Sequence, residues 1–301
     1  MIKRFQQKYY ALGSDTVITF VAEADGADIE SIFSELHDHI TTFELQFSRF
    51  LDESELTLFN RRAGEKAEIS ETFREVLVAA REMSQQTEGL YNPFILPALQ
   101  KSGYVGSWPS PRQSADATDF ATRQIVTIDK LVIGDNWASI PADSALDFGG
   151  IGKGYLLDQL AAILANKQLQ GYWLSLGGDI ICAGYDLEHQ PWEIAIQSAS
   201  DTGAIIDTIR NRRGKVLAIA TSGIIKRRGV HDGRSWHHII DPRTGEPSHT
   251  GILTVTVSAT KAVIADVYAK CIVIAGADQA ILYKKNNNIS SYIIQPDEQK
   301  M

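Results

Sequence analysis

The sequence predicts an α+β fold, and three observations predict it. Strand-like and helix-like segments are interleaved without the strict βαβ alternation that a doubly wound sheet requires. Apolar spacing switches between a period of two and a period of 3.6 from one segment to the next. No internal repeat, low-complexity run or Pro- or charge-rich linker divides the 301 residues, so residues 1–301 read as one domain, with room for a sub-domain boundary near 103–146. A chain of this length can bury about 75% of the surface its unfolded form exposes, so a full core forms without disulfide or metal staples.

Each element follows from its own pattern. Residues 17–21 alternate imperfectly and read as a strand. Ile29, Ile32, Phe33, Leu36, Ile40 and Phe43 share one face at helical spacing, which predicts a helix of about four turns. Ser70 has the chemistry of an N-cap, with Glu71 in the first turn of a helix whose stripe is Phe73, Val76, Leu77, Ala80 and Met83. Residues 103–122, rich in Gly, Ser, Pro and Asp, read as a long surface loop. Ile125, Thr127, Leu131 and Ile133 suggest a hairpin. A second block opens at Asp147, with a helix over 154–164 carrying Leu156, Leu157, Leu160, Ala161 and Leu164. Residues 172–185, 192–197, 216–220 and 252–257 read as strands, and 262–274 as a helix. Asn286-Asn287-Asn288 reads as a turn.

Composition removes several function classes. With 29 Lys+Arg against 37 Asp+Glu the chain carries a net charge of −8, which argues against a general nucleic-acid surface. The basic residues Arg210, Arg212, Arg213, Lys215, Lys226, Arg227 and Arg228 lack interleaved aromatics and read as a solvated face or an anion-facing rim. No stretch approaches the roughly 18 apolar residues of a membrane span. The first ten residues are basic without an apolar run behind them, which predicts neither a signal peptide nor a lipoprotein leader and therefore a cytoplasmic protein. Two cysteines, Cys182 and Cys271, cannot form a disulfide framework or a four-ligand zinc site.

Three clusters carry candidate chemistry. Asp147-Phe148-Gly149-Gly150-Ile151-Gly152-Lys153-Gly154-Tyr155 leads clustered glycines into a helix, where backbone N–H groups could approach a phosphate, Lys153 would add charge and Asp147 an acceptor. It fits neither the P-loop nor G-x-G-x-x-G, and a glycine-rich turn that packs a helix on a sheet explains it equally well. The second cluster joins Thr221-Ser222-Gly223 to His237-His238-Ile239-Ile240-Asp241-Pro242-Arg243-Thr244-Gly245. A strand would send one of the adjacent histidines inward, and a histidine titrates in the range useful for general acid–base chemistry. In the third, Asp266 lies in an apolar helix with Lys270 four residues on, a spacing that favours a local ion pair.

Taken together these segments resemble the FAD:protein FMN transferase family, the ApbE-type flavin transferases. The resemblance runs over nearly the whole chain in the family's motif order. Leu12-Gly13-Ser14 comes first, then Phe47-Ser48-Arg49-Phe50 with Asp52, Ser54, Glu55, Leu56 and Asn60. Thr87-Glu88-Gly89-Leu90-Tyr91-Asn92-Pro93 follows, with Pro97 and Gly103-Tyr104. The series ends with Asp147 to Tyr155, Leu176-Gly177-Gly178-Asp179-Ile180, Thr221-Ser222-Gly223 and His238 to Gly245.

The resemblance implies two α+β sub-domains with mixed and antiparallel sheets around an FAD cleft. It also implies an enzyme that uses Mg²⁺ to cleave FAD, transfers FMN to a Thr or Ser hydroxyl of a partner flavoprotein and releases AMP. By motif, Phe50, Leu90, Tyr91, Asn92, Asp147, Lys153, Thr221 and Ile240 would contact FAD. The carbonyl of Gly150 and the carboxylate of Asp266 would hold the metal, and His238 would assist proton transfer from the acceptor hydroxyl. The chain departs from the pattern at Leu12 for Met, Asn92 for Asp and, above all, Lys270 where the family carries Thr or another oxygen ligand. An FAD-binding protein without catalysis and an FAD pyrophosphatase are the competing readings.

Overall fold

The computed structural model describes residues 1–24, 28–106, 125–199, 203–231, 234–287 and 289–294. The chain opens with a hairpin, β1 (Ile2–Ala11) and β2 (Ser14–Glu23). Then come α1 (Ile29–Phe47), α2 (Glu55–Arg61), β3 (Ala67–Glu68), α3 (Glu71–Gln86) and α4 (Leu96–Lys101). A small sheet adds β4 (Val132–Ile133) and β5 (Trp137–Ser139), in the order β3-β5-β4. The second half runs α5 (Gly152–Ala165), β6 (Gly171–Leu176), β7 (Asp179–Gly184), β8 (Glu193–Gln197), β9 (Ile205–Arg210) and β10 (Leu217–Gly223). It continues through β11 (Arg228–His231), β12 (Arg234–His237), β13 (Ile240–Asp241), β14 (Glu246–Pro247) and β15 (Thr254–Ala259). The chain closes with α6 (Ala262–Ala275), α7 (Ala277–Asn287) and β16 (Ser290–Ile294).

The frame is a seven-stranded sheet in the order β1-β2-β6-β7-β10-β15-β16. Every strand pair among the described residues is antiparallel, so the fold is α+β as the sequence predicts, and no mixed sheet accompanies it. The two-residue alternation of its central strands sorts side chains onto two buried faces. Ile18, Phe20, Ile181 and Ala218 face the main core, which α1, α3, α5 and α6 fill with Leu36, Phe73, Leu156 and Val267. Val21, Ile180, Cys182 and Ile219 face the other way, where the β8–β9 hairpin covers them with Ile194, beside Trp192. Burial on both faces explains why β6 and β7 read as continuous apolar runs.

Local chemistry accounts for the element ends. Ser70 caps α3 by accepting from the Phe73 N–H at 3.1 Å, as the sequence predicts. Glu55 ties α2 to the start of α3, accepting from the Ser70 N–H and hydroxyl at 2.7 Å each. Asn60 clamps Leu146 with two hydrogen bonds, donating to its carbonyl at 2.9 Å and accepting from its N–H at 2.8 Å. Helices α5 and α6 meet closely at Gly154, where a Cβ would lie 2.6 Å from the Ala262 carbonyl oxygen and 2.7 Å from Val263 Cα.

Several expectations shift. Residues 172–185 form a hairpin, not one strand, because Gly177 and Gly178 (φ +62° and +95°) make a two-residue turn that needs positive φ at both positions. The hairpin expected at 125–133 begins later, with β4 paired to β5 after a 3₁₀ turn over Ile128–Lys130. Asn286 and Asn287 close α7 instead of forming a turn, and Asn288 lies outside the described residues. Most of the loop expected at 103–122 also lies outside them. The Asp266–Lys270 ion pair does not form: Asp266 Oδ2 accepts from the Gly154 N–H at 3.2 Å, and Lys270 reaches away to the Gly149 carbonyl. Among the described residues no helix is long and apolar enough to cross a membrane.

Candidate active site

The ends of α1, α5 and α6 and the segments 90–92 and 238–242 enclose a cavity of about 460 Å³, a size suited to a small-molecule ligand. Of the eleven residues singled out from sequence, Phe50, Leu90, Tyr91, Asn92, Asp147, Gly150, Lys153, His238 and Ile240 line it. Thr221 and Asp266 do not. Thr221, exposed on β10, donates its N–H to Asp179 Oδ1 at 3.2 Å, and Asp179 pairs with Lys153. Asp266 lies buried behind the Gly149–Gly154 turn, where its charge still reaches Tyr91 and Lys153. The glycine cluster and the histidine cluster therefore do meet in space.

The four glycines of the first cluster divide their work. Gly154 permits the α5–α6 contact, and Gly152 lies against the ring of Phe43, so half of the motif serves packing. Gly149 and Gly150 line the cavity at the N-terminus of α5, where the helix dipole favours an anion.

Asp147 is held from three directions. Its N–H donates to the Pro93 carbonyl at 2.8 Å, its Oδ1 accepts from the Gly149 N–H at 2.9 Å and its Oδ2 pairs with Arg49 Nε at 3.0 Å. Arg49 is buried, donates to the Tyr104 carbonyl at 3.1 Å and lies 4.3 Å from the Phe50 ring centroid and 4.7 Å from that of Tyr104. Sequence reasoning gave Arg49 no role, although it stands within the Phe47–Phe50 motif. Asn92 lines the cavity but uses its amide internally, donating to the Val126 carbonyl at 2.9 Å and accepting from the Phe94 N–H at 3.0 Å.

Two buried polar atoms at the cavity wall have no protein partner, the Tyr91 hydroxyl and His238 Nδ1. The Tyr91 backbone is fixed by the Thr87 hydroxyl, which accepts its N–H at 3.1 Å. Burial, with the Asp147 and Asp266 charges, pushes the Tyr91 phenol well above its usual range, so it stays a donor. His238 moves the other way. Burial, then Arg227, Lys270 and His237, hold it well below the usual histidine value, so the ring is neutral at neutral pH. Burial opposes the charge on Lys153, but the Asp179 and Asp266 carboxylates outweigh it and keep that ammonium protonated.

The positions assigned to a divalent ion do not suit one. Lys270 Nζ donates to the Gly149 carbonyl at 3.2 Å, and a Cβ at position 150 would collide with it. Mg²⁺ needs oxygen ligands at about 2.0–2.1 Å in octahedral array, whereas an ammonium offers no lone pair and repels the ion. Among the described residues no group of three His, Cys, Asp or Glu side chains could hold a metal.

Comparison with known proteins identifies the family. The sequence matches the ApbE family over residues 12–293. An FAD:protein FMN transferase of Haemophilus influenzae is 28% identical over 96% of this chain and 83% of its own length. One from Vibrio cholerae is 28% identical over 94% and 85%. Among solved structures, the ApbE protein of Thermotoga maritima superposes with a TM-score of 0.86 at 24% identity, covering 99% of this chain and 96% of that one. The flavin transferase ApbE of Vibrio cholerae gives 0.81 at 25% identity over 100% and 96%. With a match across nearly its whole length and the same α+β architecture, the chain belongs to the ApbE family.

Proposed function

We propose that this chain is an FAD:protein FMN transferase, an enzyme that cleaves FAD and passes FMN to a Thr or Ser hydroxyl of a partner flavoprotein. The observation that carries the reading is one cavity lined by Tyr91 and His238, each with a buried polar atom that has no protein partner, together with Arg227 and Lys270. Buried polar atoms are seldom left unsatisfied, and here a bound ligand supplies the partner. The curated relatives named above point to which ligand it is.

In the transfer, the acceptor hydroxyl oxygen bonds to the FMN phosphorus as the bond from that phosphorus to the bridging oxygen breaks. AMP departs with the electron pair of the broken bond. Neutral His238 takes the hydroxyl proton, which positions it as the general base. Phe50, Leu90, Tyr91, Ile240 and the backbone about Asn92 supply walls for the flavin and adenine rings. Asp147, braced by Arg49, offers a carboxylate to the nucleotide. Lys153 contributes positive charge, and Thr221 acts through Asp179 to position it. Catalysis rests on placement and charge neutralisation more than on a strong nucleophile. The Mg²⁺ implied by resemblance, with Gly150 and Asp266 as its ligands, has no step here, because the residues present do not suit it.

The reading takes residues 1–301 as one flavin transferase domain with a sub-domain boundary near 103–146. The main core, which gathers residues from Ala11 to Ile289, supports a single unit. The reading also takes the enzyme to be cytoplasmic, which cell fractionation tests.

Incubation of the protein with FAD and an acceptor domain bearing a flavinylation site tests the function. An acceptor heavier by one FMN on intact mass, with AMP released, is the expected result. Free FMN and AMP without a labelled acceptor would replace transfer with hydrolysis, and intact FAD bound without turnover would leave a binding protein.

A further inference from the structure

Lys270 stands one turn after Asp266 on α6, between the buried residues Ala269 and Cys271. Its ammonium rests on the Gly149 carbonyl, in space left by the missing side chain of Gly150, and it lines the cavity. Arg227 lines the same cavity. Lys153 and Arg49 have their charges matched by Asp179 and Asp147, whereas neither Lys270 nor Arg227 is tied to a carboxylate among the described residues. Both act on His238, whose basicity they depress. Two unmatched cations beside the N-terminus of α5 are suited to an anion whose charge is spread over several oxygens.

We infer that Lys270 is the cation that meets the FAD pyrophosphate, with Arg227 beside it, so that this chain binds and cleaves FAD without a divalent ion. The inference rests on the function proposed above. An ammonium has three N–H donors; one holds the Gly149 carbonyl and two remain for phosphate oxygens. As the acceptor oxygen joins the FMN phosphorus and AMP leaves with the electron pair of the broken bond, negative charge grows on the departing oxygen and the non-bridging oxygens. Lys270 neutralises that charge without changing its own protonation, while the hydroxyl proton passes to His238. No reactant beyond FAD and the acceptor hydroxyl is needed. Gly150 has its place in this arrangement, since any side chain there would expel the ammonium.

FAD titration by flavin fluorescence, in excess EDTA and again with millimolar Mg²⁺, tests it. The dissociation constant of the unaltered protein is expected to agree within about twofold between the two conditions, since no ion takes part. Lys270→Met is expected to weaken FAD binding by about tenfold or more, the effect of a lost charged hydrogen bond, while Lys270→Arg retains most of it. Melting temperatures of the FAD-free variants confirm that they are folded, and the EDTA comparison on the unaltered chain stands even if one is not. Binding abolished by EDTA and restored by Mg²⁺ would overturn the inference while leaving the proposed function intact. Unchanged affinity in Lys270→Met would do the same. No FAD binding in either condition would overturn the function and the inference together.

Discussion

At the scale of single residues, the two unpartnered atoms make separable predictions. Tyr91→Phe removes a hydroxyl that has no protein partner, so the ligand-free protein loses no hydrogen bond and is expected to melt at the same temperature or higher. FAD affinity is expected to fall about three- to tenfold if the hydroxyl serves the ligand, which a fluorescence titration reads. Equal affinity would assign Tyr91 a packing role alone. His238 predicts a pH dependence with a definite sign. Its folded-state value is depressed by burial and by Arg227, Lys270 and His237, so the neutral ring persists below pH 6.5. The transfer rate should hold through about pH 6.5 and decline only at lower pH, and His238→Asn should lose that limb. The same shift acts on stability. The unfolded chain binds the proton first, so this contribution is present above about pH 6.5 and is lost as the pH falls from there toward the folded value. Denaturant midpoints measured at pH 7.5 and pH 5.5 would show the loss, and His238→Asn would show less of it.

At the scale of elements, the α5–α6 contact shows why a motif can be read in two ways and be right in both. Gly154 lies so close to the backbone of Ala262 and Val263 that any Cβ meets main-chain atoms, which cannot rotate aside. Gly154→Ala is therefore expected to destabilise the fold by about 1–3 kcal/mol, as overpacking does, and to lower FAD affinity by shifting α6 and with it Lys270. Chemical denaturation paired with an FAD titration checks both, and a fully stable variant would mean that the helices separate without cost. Periodicity made α1, α3, α5 and α6 legible, because each has a core-facing stripe or an apolar run of helical length. Other elements carried weaker signals. β1 is an edge strand in which the polar Gln7 on the inner row and the aromatic Tyr10 on the exposed row blur the alternation of Phe5, Gln7, Tyr9 and Ala11. α7 ends in an asparagine pair that locally favours a turn. The β6–β7 hairpin hides its turn inside one long apolar run, where two adjacent glycines were the signal available to find it.

At the scale of the whole molecule, the fold class was legible because the order of elements is a property of the chain itself, whereas the site is a property of closure. The cavity draws on Leu12 in the β1–β2 turn, Arg49 and Phe50 after α1, Tyr91, the Asp147–Lys153 turn, His238 and Lys270, which are far apart in sequence. No local pattern shows that Arg49 will brace Asp147 or that Lys270 will fall on Gly149; only the sheet and the helices packed on it bring them within bonding distance. A ligand seated in that cavity touches the start, middle and end of the chain at once, so its binding energy opposes global unfolding and not only local opening. FAD at about one hundred times its dissociation constant should add about 2.7 kcal/mol. For a chain of this size that corresponds to a melting temperature higher by about 4 °C. FMN or AMP alone, each meeting part of the wall and lacking the intact pyrophosphate, should raise it less at equal concentration. A thermal melt with each of the three decides the matter. A shift from FAD no larger than that from AMP would mean that the flavin half gains nothing from Phe50, Leu90 and Ile240, and would move the flavin out of this cavity.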